Sequence, residues 1–283
     1  MNTASASTPI KNLVLCADDF AMSASVSEAI LRLAQAHRIS ATSAMVLSPR
    51  WSEDAARLKE LRGQIDVGLH LDWTSDFAIA QGHGQPLAPI MLRSAFGGLN
   101  AEAVRVQIER QLDAFESVWQ APPDHIDGHQ HVQQFGTIRQ ALLQVMARRY
   151  AGCQPYLRVS RPPTGQADFK GRVMAAWGSQ ALIREAALQR IPCAPALSGI
   201  YDLFDERLDY AGLMDRWLAQ VPEGTLLMCH PGLCAADHLP GENFSGDHAY
   251  ARVAEWQHLS SDLFVHQLQV HGVHIMRGAS LYR

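Results

Sequence analysis

The stretch His125-Ile126-Asp127-Gly128-His129-Gln130-His131 packs three histidines and a carboxylate into seven residues. Core packing does not account for that density. Neutral imidazole is the commonest protein ligand for a transition metal, and a nearby carboxylate can ligate the ion or orient a ligating ring. The alternative is a solvated polar loop that happens to be rich in histidine. A metal site needs donors from elsewhere in the chain, and three other places offer them: Asp18-Asp19, His70, and His230 just before Pro231-Gly232. A metal brings the pKa of its water towards neutrality and polarises a carbonyl, so an aspartate with two histidines suits hydrolysis. Of the paired carboxylates, one can bind the ion while the other acts as a base towards water; otherwise the pair caps the helix that follows. His230, held opposite the ion, can protonate a leaving amine as general acid.

These residues share one kind of position. Asn12–Ala17 is a short apolar run that ends at Asp18-Asp19 and reads as a strand buried on both faces. Ser40–Leu47, Ile65–Leu71, the His125 stretch, Tyr156–Ser160, Gly224–His230 and Val273–Met276 read as further strands. Helical spacing fills the intervals over 25–38, with a capping box at Ser25 and Glu28, and over 52–62, 102–119, 136–149, 168–190, 209–220 and 250–270. Residues 74–99 carry little periodicity and read as a lid or substrate loop. Strands alternating with helices predict a parallel α/β fold, a (β/α) barrel in preference to an open doubly wound sheet. No GxGxxG follows the first strand, which argues against dinucleotide binding. The carboxyl ends of parallel strands meet at one rim, so Asp18-Asp19, His70, Asp127, His129 and His230 are expected to converge there. Successive strand side chains alternate faces, so both carboxylates reach the site only if the backbone turns at the strand end.

Composition narrows the partners. The chain has 283 residues, 47% hydrophobic and 18% charged, an ordinary globular balance. A formal charge of −4 without any basic run argues against a nucleic-acid partner. No window approaches the roughly 18 apolar residues of a membrane span, and the expected location is the cytoplasm. Residues 1–11 read as a disordered leader and 12–283 as a single catalytic domain. Five scattered cysteines without a CxxC pair suggest neither a disulfide framework nor a zinc knuckle, and Cys16 and Cys229 read as buried small hydrophobes. A homodimer is the default oligomer.

Four motifs, Ala17-Asp18-Asp19-Phe20, Val67-Gly68-Leu69-His70-Leu71, His125-Ile126-Asp127-Gly128-His129-Gln130-His131 and Met228-Cys229-His230-Pro231-Gly232, occur in the order found in the YdjC-like carbohydrate deacetylases. The chain resembles that family over residues 17–232; the family includes chitooligosaccharide deacetylases and a hopanoid-biosynthesis branch. The resemblance implies a distorted TIM barrel of the polysaccharide-deacetylase type and a divalent metal. It implies Asp19, His70 and His129 as ligands, Asp18 as the base that activates water, and His230 as the acid. The reaction implied removes an N-acetyl group from a small acetylated saccharide and releases acetate. Ala21 stands where the family often has glycine, and Gln130 and Gln133 where it often has histidine. Asp127, His131 and Arg158 (with Arg161 nearby) are candidates for contacts behind the ligands or with substrate, and Trp73, Phe77, Tyr201 and Phe204 for stacking on a sugar or for packing. His238 or His248, in the loop after His230, is a further candidate for substrate contact. Ligand softness suits Zn²⁺, Mn²⁺ or Co²⁺, whereas the resemblance points to Mg²⁺. Competing readings are another metal hydrolase on the same scaffold (an amidase or phosphoesterase) and a non-catalytic metal- or sugar-binding protein.

Overall fold

A computed structural model describes residues 10–164, 166, 178–205, 207–233 and 249–282. Among the described residues, eight parallel strands alternate with helices: β1 Lys11–Phe20, β2 Ala41–Ala44, β3 Asp66–Leu71, β4 His125–Gly128, β5 Tyr156–Leu157, β6 Leu197–Ser198, β7 Leu226–Cys229 and β8 Val273–Ile275. Their order in the sheet is β5-β4-β3-β2-β1-β7-β6. The two ends of that order meet. Leu157 bridges Cys193 in the lead into β6, and the Leu197 N–H donates to the Arg161 carbonyl at 2.9 Å. The sheet therefore closes on itself as a (β/α) barrel, as expected from the alternation of elements.

The barrel is distorted where β8 joins it. Lys11 and Leu13 pair with β8 through Gly272 and Met276, and the next odd-numbered residue, Leu15, accepts from the Ser40 N–H that leads into β2. Backbone groups of alternate residues point to the same edge of a strand. β8 thus occupies the lower part of the same β1 edge that β2 occupies above, and it adds no stave to the barrel.

Apolar runs buried on both faces build the staves: Leu13 to Ala17 and Val67, Leu69 and Leu71 are all nearly inaccessible. The helix α1 (Ala24–Gln35) starts two residues earlier than the Ser25–Glu28 spacing predicts, because Ser23 is the cap and accepts from the Val26 N–H at 3.2 Å. Residues 74–99 are not a plain loop. They hold two helices, Asp76–Ala80, capped by Ser75, and Leu87–Ala95, whose Ile90 is buried against the core. Both are too short for a periodicity signal. The helix expected over 250–270 is two, Ala249–Leu259 and Asp262–Val270, because Ser261 caps the second. β6 is two residues long and carried no strand pattern. Of the helix expected over 168–190, the described part is Ser179–Leu188. Most of the expected leader lies outside the described residues. No helix among them is long and apolar enough to cross a membrane.

Candidate active site

Asp18 and Asp19 lie inside β1, not beyond it, and the strand's own irregularity lets both face the rim. The pairing of β1 with β2 slips between Ala17 and Phe20, and Asp19 takes a left-handed φ of 68°. That breaks the alternation of side chains, at a conformational cost that an L residue bears only where surroundings over-determine it. Ala21, where glycine would be the easier residue, also sits at φ 72°, with its N–H held by Ser27 Oγ at 3.0 Å.

Asp19 Oδ1 is buried and accepts no hydrogen bond. It lies 3.2 Å from His129 Nδ1 and 3.5 Å from His70 Nε2. Donor atoms of Asp19, His70 and His129 fall within 4.8 Å of one another. Leaving such an acceptor buried without a partner costs about 1–3 kcal/mol. A divalent cation among the three donors removes that cost, and the oxygen-and-imidazole set fits such an ion. Burial opposes charge on Asp19, but the Arg252 guanidinium, then the His129 and His70 rings, hold its carboxyl well below the usual range. It is therefore available as an anion.

His70 is aimed from behind. Asp127 Oδ1 lies 2.6 Å from His70 Nδ1, and Asp127 Oδ2 accepts from Ser43 Oγ at 2.5 Å. Since the only hydroxyl proton of Ser43 goes to Asp127, the Oγ accepts from His125 Nε2 at 3.0 Å, which assigns His125 as the Nε2–H tautomer. Burial pushes the His125 pKa down and keeps the ring neutral. The ring fills the space above Gly68, where an added Cβ would lie 2.2 Å from Nε2. Cys16, His125 and Asp127 form a second group of close donors, but the Ser43 hydroxyl sits among them, 3.4 Å from Cys16 Sγ. That group is a filled hydrogen-bond cluster.

Asp18 stands beside the ligand set, its carboxylate within 4.8 Å of donor atoms of His70 and Asp127. Its Oδ1 accepts from Arg158 Nη1 at 2.6 Å, and the same guanidinium nitrogen lies 3.1 Å from Asp127 Oδ2. Arg158 is fully buried, so it fixes both carboxylates and has no surface left for substrate beyond the cleft face. Its neighbour Arg161 is no part of this cluster. His230, directly after β7, brings Nε2 to 3.7 Å from Asp18 Oδ2. Glu255 accepts from the His230 backbone N–H at 2.5 Å, lies 3.9 Å from its Nδ1, and accepts from the Tyr201 hydroxyl at 2.5 Å. Burial works against a charged His230 ring, yet the nearby carboxylates of Glu255 and Asp18 raise its pKa above the usual value.

Asp18, Asp19, His70, His129, Arg158, His230 and Arg252 line a cleft of about 360 Å³. Its other walls are His131, Gln130, Tyr201, Phe204 and a set of aliphatic side chains that includes Leu87 and Met91 from the 74–99 segment. His131 Nδ1 pairs with Ser160 Oγ at 2.8 Å; burial, with Arg158, His70 and His230 nearby, holds the ring well below its usual pKa and neutral. Gln133 is buried and donates to the Arg158 carbonyl at 3.1 Å, which ties it to the fold and not to the cleft. Trp73 is buried against His83, and neither it nor Phe77 lines the cleft. His258 packs between Tyr210 and Phe264. His238 and His248 lie outside the described residues. Sequence reasoning missed Arg252 and Glu255. Both are charged residues on an ordinary helix pattern; the one signal was their i, i+3 spacing, which puts them on one helix face.

A family model described as YdjC-like protein matches residues 12–270. A protein named chitooligosaccharide deacetylase from Serratia marcescens is 26% identical over 236 residues, which cover 80% of this chain and 83% of that one. Another of that name from Proteus mirabilis is 31% identical over 139 residues, 44% of this chain and about half (51%) of that one. Among solved structures, one from Enterococcus faecalis V583 described as a cellobiose-phosphate cleavage protein aligns with TM-score 0.72 at 18% identity, covering 97% of this chain and 100% of that one. A peptidoglycan N-acetylglucosamine deacetylase aligns with TM-score 0.50 at 12% identity, covering 97% and 89%. At such identities these likenesses show the fold alone.

Proposed function

Since this chain belongs to the YdjC-like family, we propose that it is a metal-dependent carbohydrate N-deacetylase acting on a small acetylated amino sugar or oligosaccharide. The observation that carries this reading is the unpartnered Asp19 Oδ1 between two imidazoles, with Asp18 and His230 flanking it across one cleft. The names of the Serratia and Proteus relatives support the substrate class.

Asp19, His70 and His129 hold the ion in this reading. When bound, a divalent metal supplies the Lewis acidity that polarises the acetyl carbonyl and makes water a nucleophile near neutral pH. Asp18, fixed through Oδ1 by Arg158, takes the proton of the attacking water on Oδ2. His230, whose pKa Glu255 and Asp18 raise, gives its proton to the amine nitrogen as the C–N bond breaks. The products are acetate and a free amino sugar. Asp18 Oδ2 and His230 Nε2 lie 3.7 Å apart, so a small side-chain movement brings them into direct contact to return the proton between turnovers. A pure binding site would have no use for the spare carboxylate and the further imidazole beside the ligand set. Zn²⁺, Mn²⁺ and Co²⁺ suit two imidazoles and a carboxylate, and Mg²⁺ suits the family resemblance.

The test is release of acetate from diacetylchitobiose and longer chitooligosaccharides with each of these four ions. Metal-dependent acetate release is expected. A protein that binds the ion and frees no acetate from any N-acetylated saccharide would sink the proposal.

A further inference from the structure

We propose that Arg252 is a positioning residue of the metal centre: it holds Asp19 Oδ2 so that Oδ1 alone is offered to the ion. This rests on the reading of Asp19, His70 and His129 as the ligand set.

The two oxygens of Asp19 meet unlike surroundings. Oδ2 accepts from Arg252 Nη2 at 2.7 Å, whereas Oδ1 accepts nothing and faces the two rings at 3.2 and 3.5 Å. A carboxylate gripped in this way can chelate through both oxygens only by giving up a buried, charge-assisted bond. Arg252 is itself well anchored. It is 2% exposed, its Nη1 donates to the His230 carbonyl at 3.4 Å, and its Nη2 lies 3.4 Å from Met22 Sδ. Its own carbonyl accepts from the Gly232 N–H at 3.1 Å. The guanidinium therefore ties the turn after β1 to the segment that carries His230, and it is charged at every working pH.

A fixed cation this close to the ligand set repels a divalent ion. On charge alone, removing it should tighten metal binding. On position alone, removing it should loosen binding, because Asp19 would lose the partner that sets its side chain on a left-handed backbone. The two effects have opposite signs, which makes the choice measurable. Partners behind metal ligands typically set affinity by a factor of roughly 10–100 when lost.

The experiment titrates Mn²⁺ into the metal-free full chain by calorimetry, for the unaltered protein, Arg252→Lys and Arg252→Met. Both variants are expected to raise the Kd, Arg252→Met by roughly 10–100-fold and Arg252→Lys by less. The Co²⁺-loaded Arg252→Lys protein is expected to show altered d–d bands as Asp19 engages its second oxygen, while the melting temperature of its metal-free form stays within a few degrees. Lysine keeps a cation beside the buried carboxylate, so if Arg252→Met fails to fold, Arg252→Lys decides. A Kd that is unchanged or tighter in Arg252→Lys, with unaltered Co²⁺ bands, overturns the proposal and leaves Arg252 as a counter-charge only. Failure of the unaltered protein to bind any divalent ion is a different result: it removes the ligand set, and this inference with it.

Discussion

Asp127 Oδ1 stands 2.6 Å from His70 Nδ1, which turns the opposite ring nitrogen, Nε2, towards Asp19. Adjacent strands make this contact, since His70 and Asp127 are register partners in the β3–β4 pairing. The carboxylate fixes both the tautomer and the direction of the ring.

The same contact makes the metal-free protein sensitive to pH. Burial disfavours a charged His70, but the charge and hydrogen bond of Asp127, with Asp18 and Asp19, raise its pKa from 6.5 to about 9. A raised histidine contributes stability that is full below the unfolded value and is lost as pH rises through the folded one. The metal-free protein should therefore lose melting temperature from about pH 6.5 to about pH 9. An ion at Nε2 needs the neutral ring, so its affinity should rise over the same interval. Melting curves with and without Co²⁺ across this range check both; a constant gap between them would contradict the assignment.

Asp18→Asn should separate catalysis from binding. Loss of a general base costs about 10²–10⁴-fold in turnover. The ligand triad does not include Asp18, so the Kd for metal should change little. Calorimetry and acetate release on the same preparation read the two effects. Undiminished turnover would remove Asp18 from the role of base.

Glu255→Gln should move the alkaline limb of the pH–rate profile towards lower pH. In the proposed mechanism the acid form of His230 is the active one, so activity should fall as pH rises through its pKa. Glu255 helps raise that pKa, and glutamine keeps the shape without the charge. A limb that stays in place would show that His230 does not set it.

Ala21→Gly should stabilise the protein by about 1 kcal/mol, because alanine at φ 72° bears a steric cost that glycine lacks. Urea denaturation at fixed pH measures it. No gain, or a loss, would mean that the Ala21 methyl contributes packing that outweighs its backbone conformation.

Much of this protein was legible along the chain. Runs such as Leu13–Ala17 and Val67–Leu69 announce strands buried on both faces, and a polar group at the end of such a run is placed at a barrel rim by topology alone. That is why Asp18, Asp19, His70, His129 and His230, spread over more than two hundred residues, were expected together and line one cleft, with Asp127 directly behind His70. Short elements were not legible. The helices inside 74–99 and the two-residue β6 fall below the length at which periodicity rises above chance, and Ser261 divided what reads as one continuous helix.

The chain by itself determined which chemistry was available and at which end of which strand, because residue type and strand period are local properties. The tertiary structure alone decided how each group is used. The left-handed backbone of Asp19 is set by what surrounds it, and the Ser43–His125 support behind Asp127, the reach of Arg252 to Asp19 and that of Glu255 to His230 are contacts across 25 to more than 200 residues of sequence. A lone arginine on a helix carries no sign of its partner. Only folding brings a buried carboxylate to it, and the cost of leaving either charge unpaired then holds the pair in place.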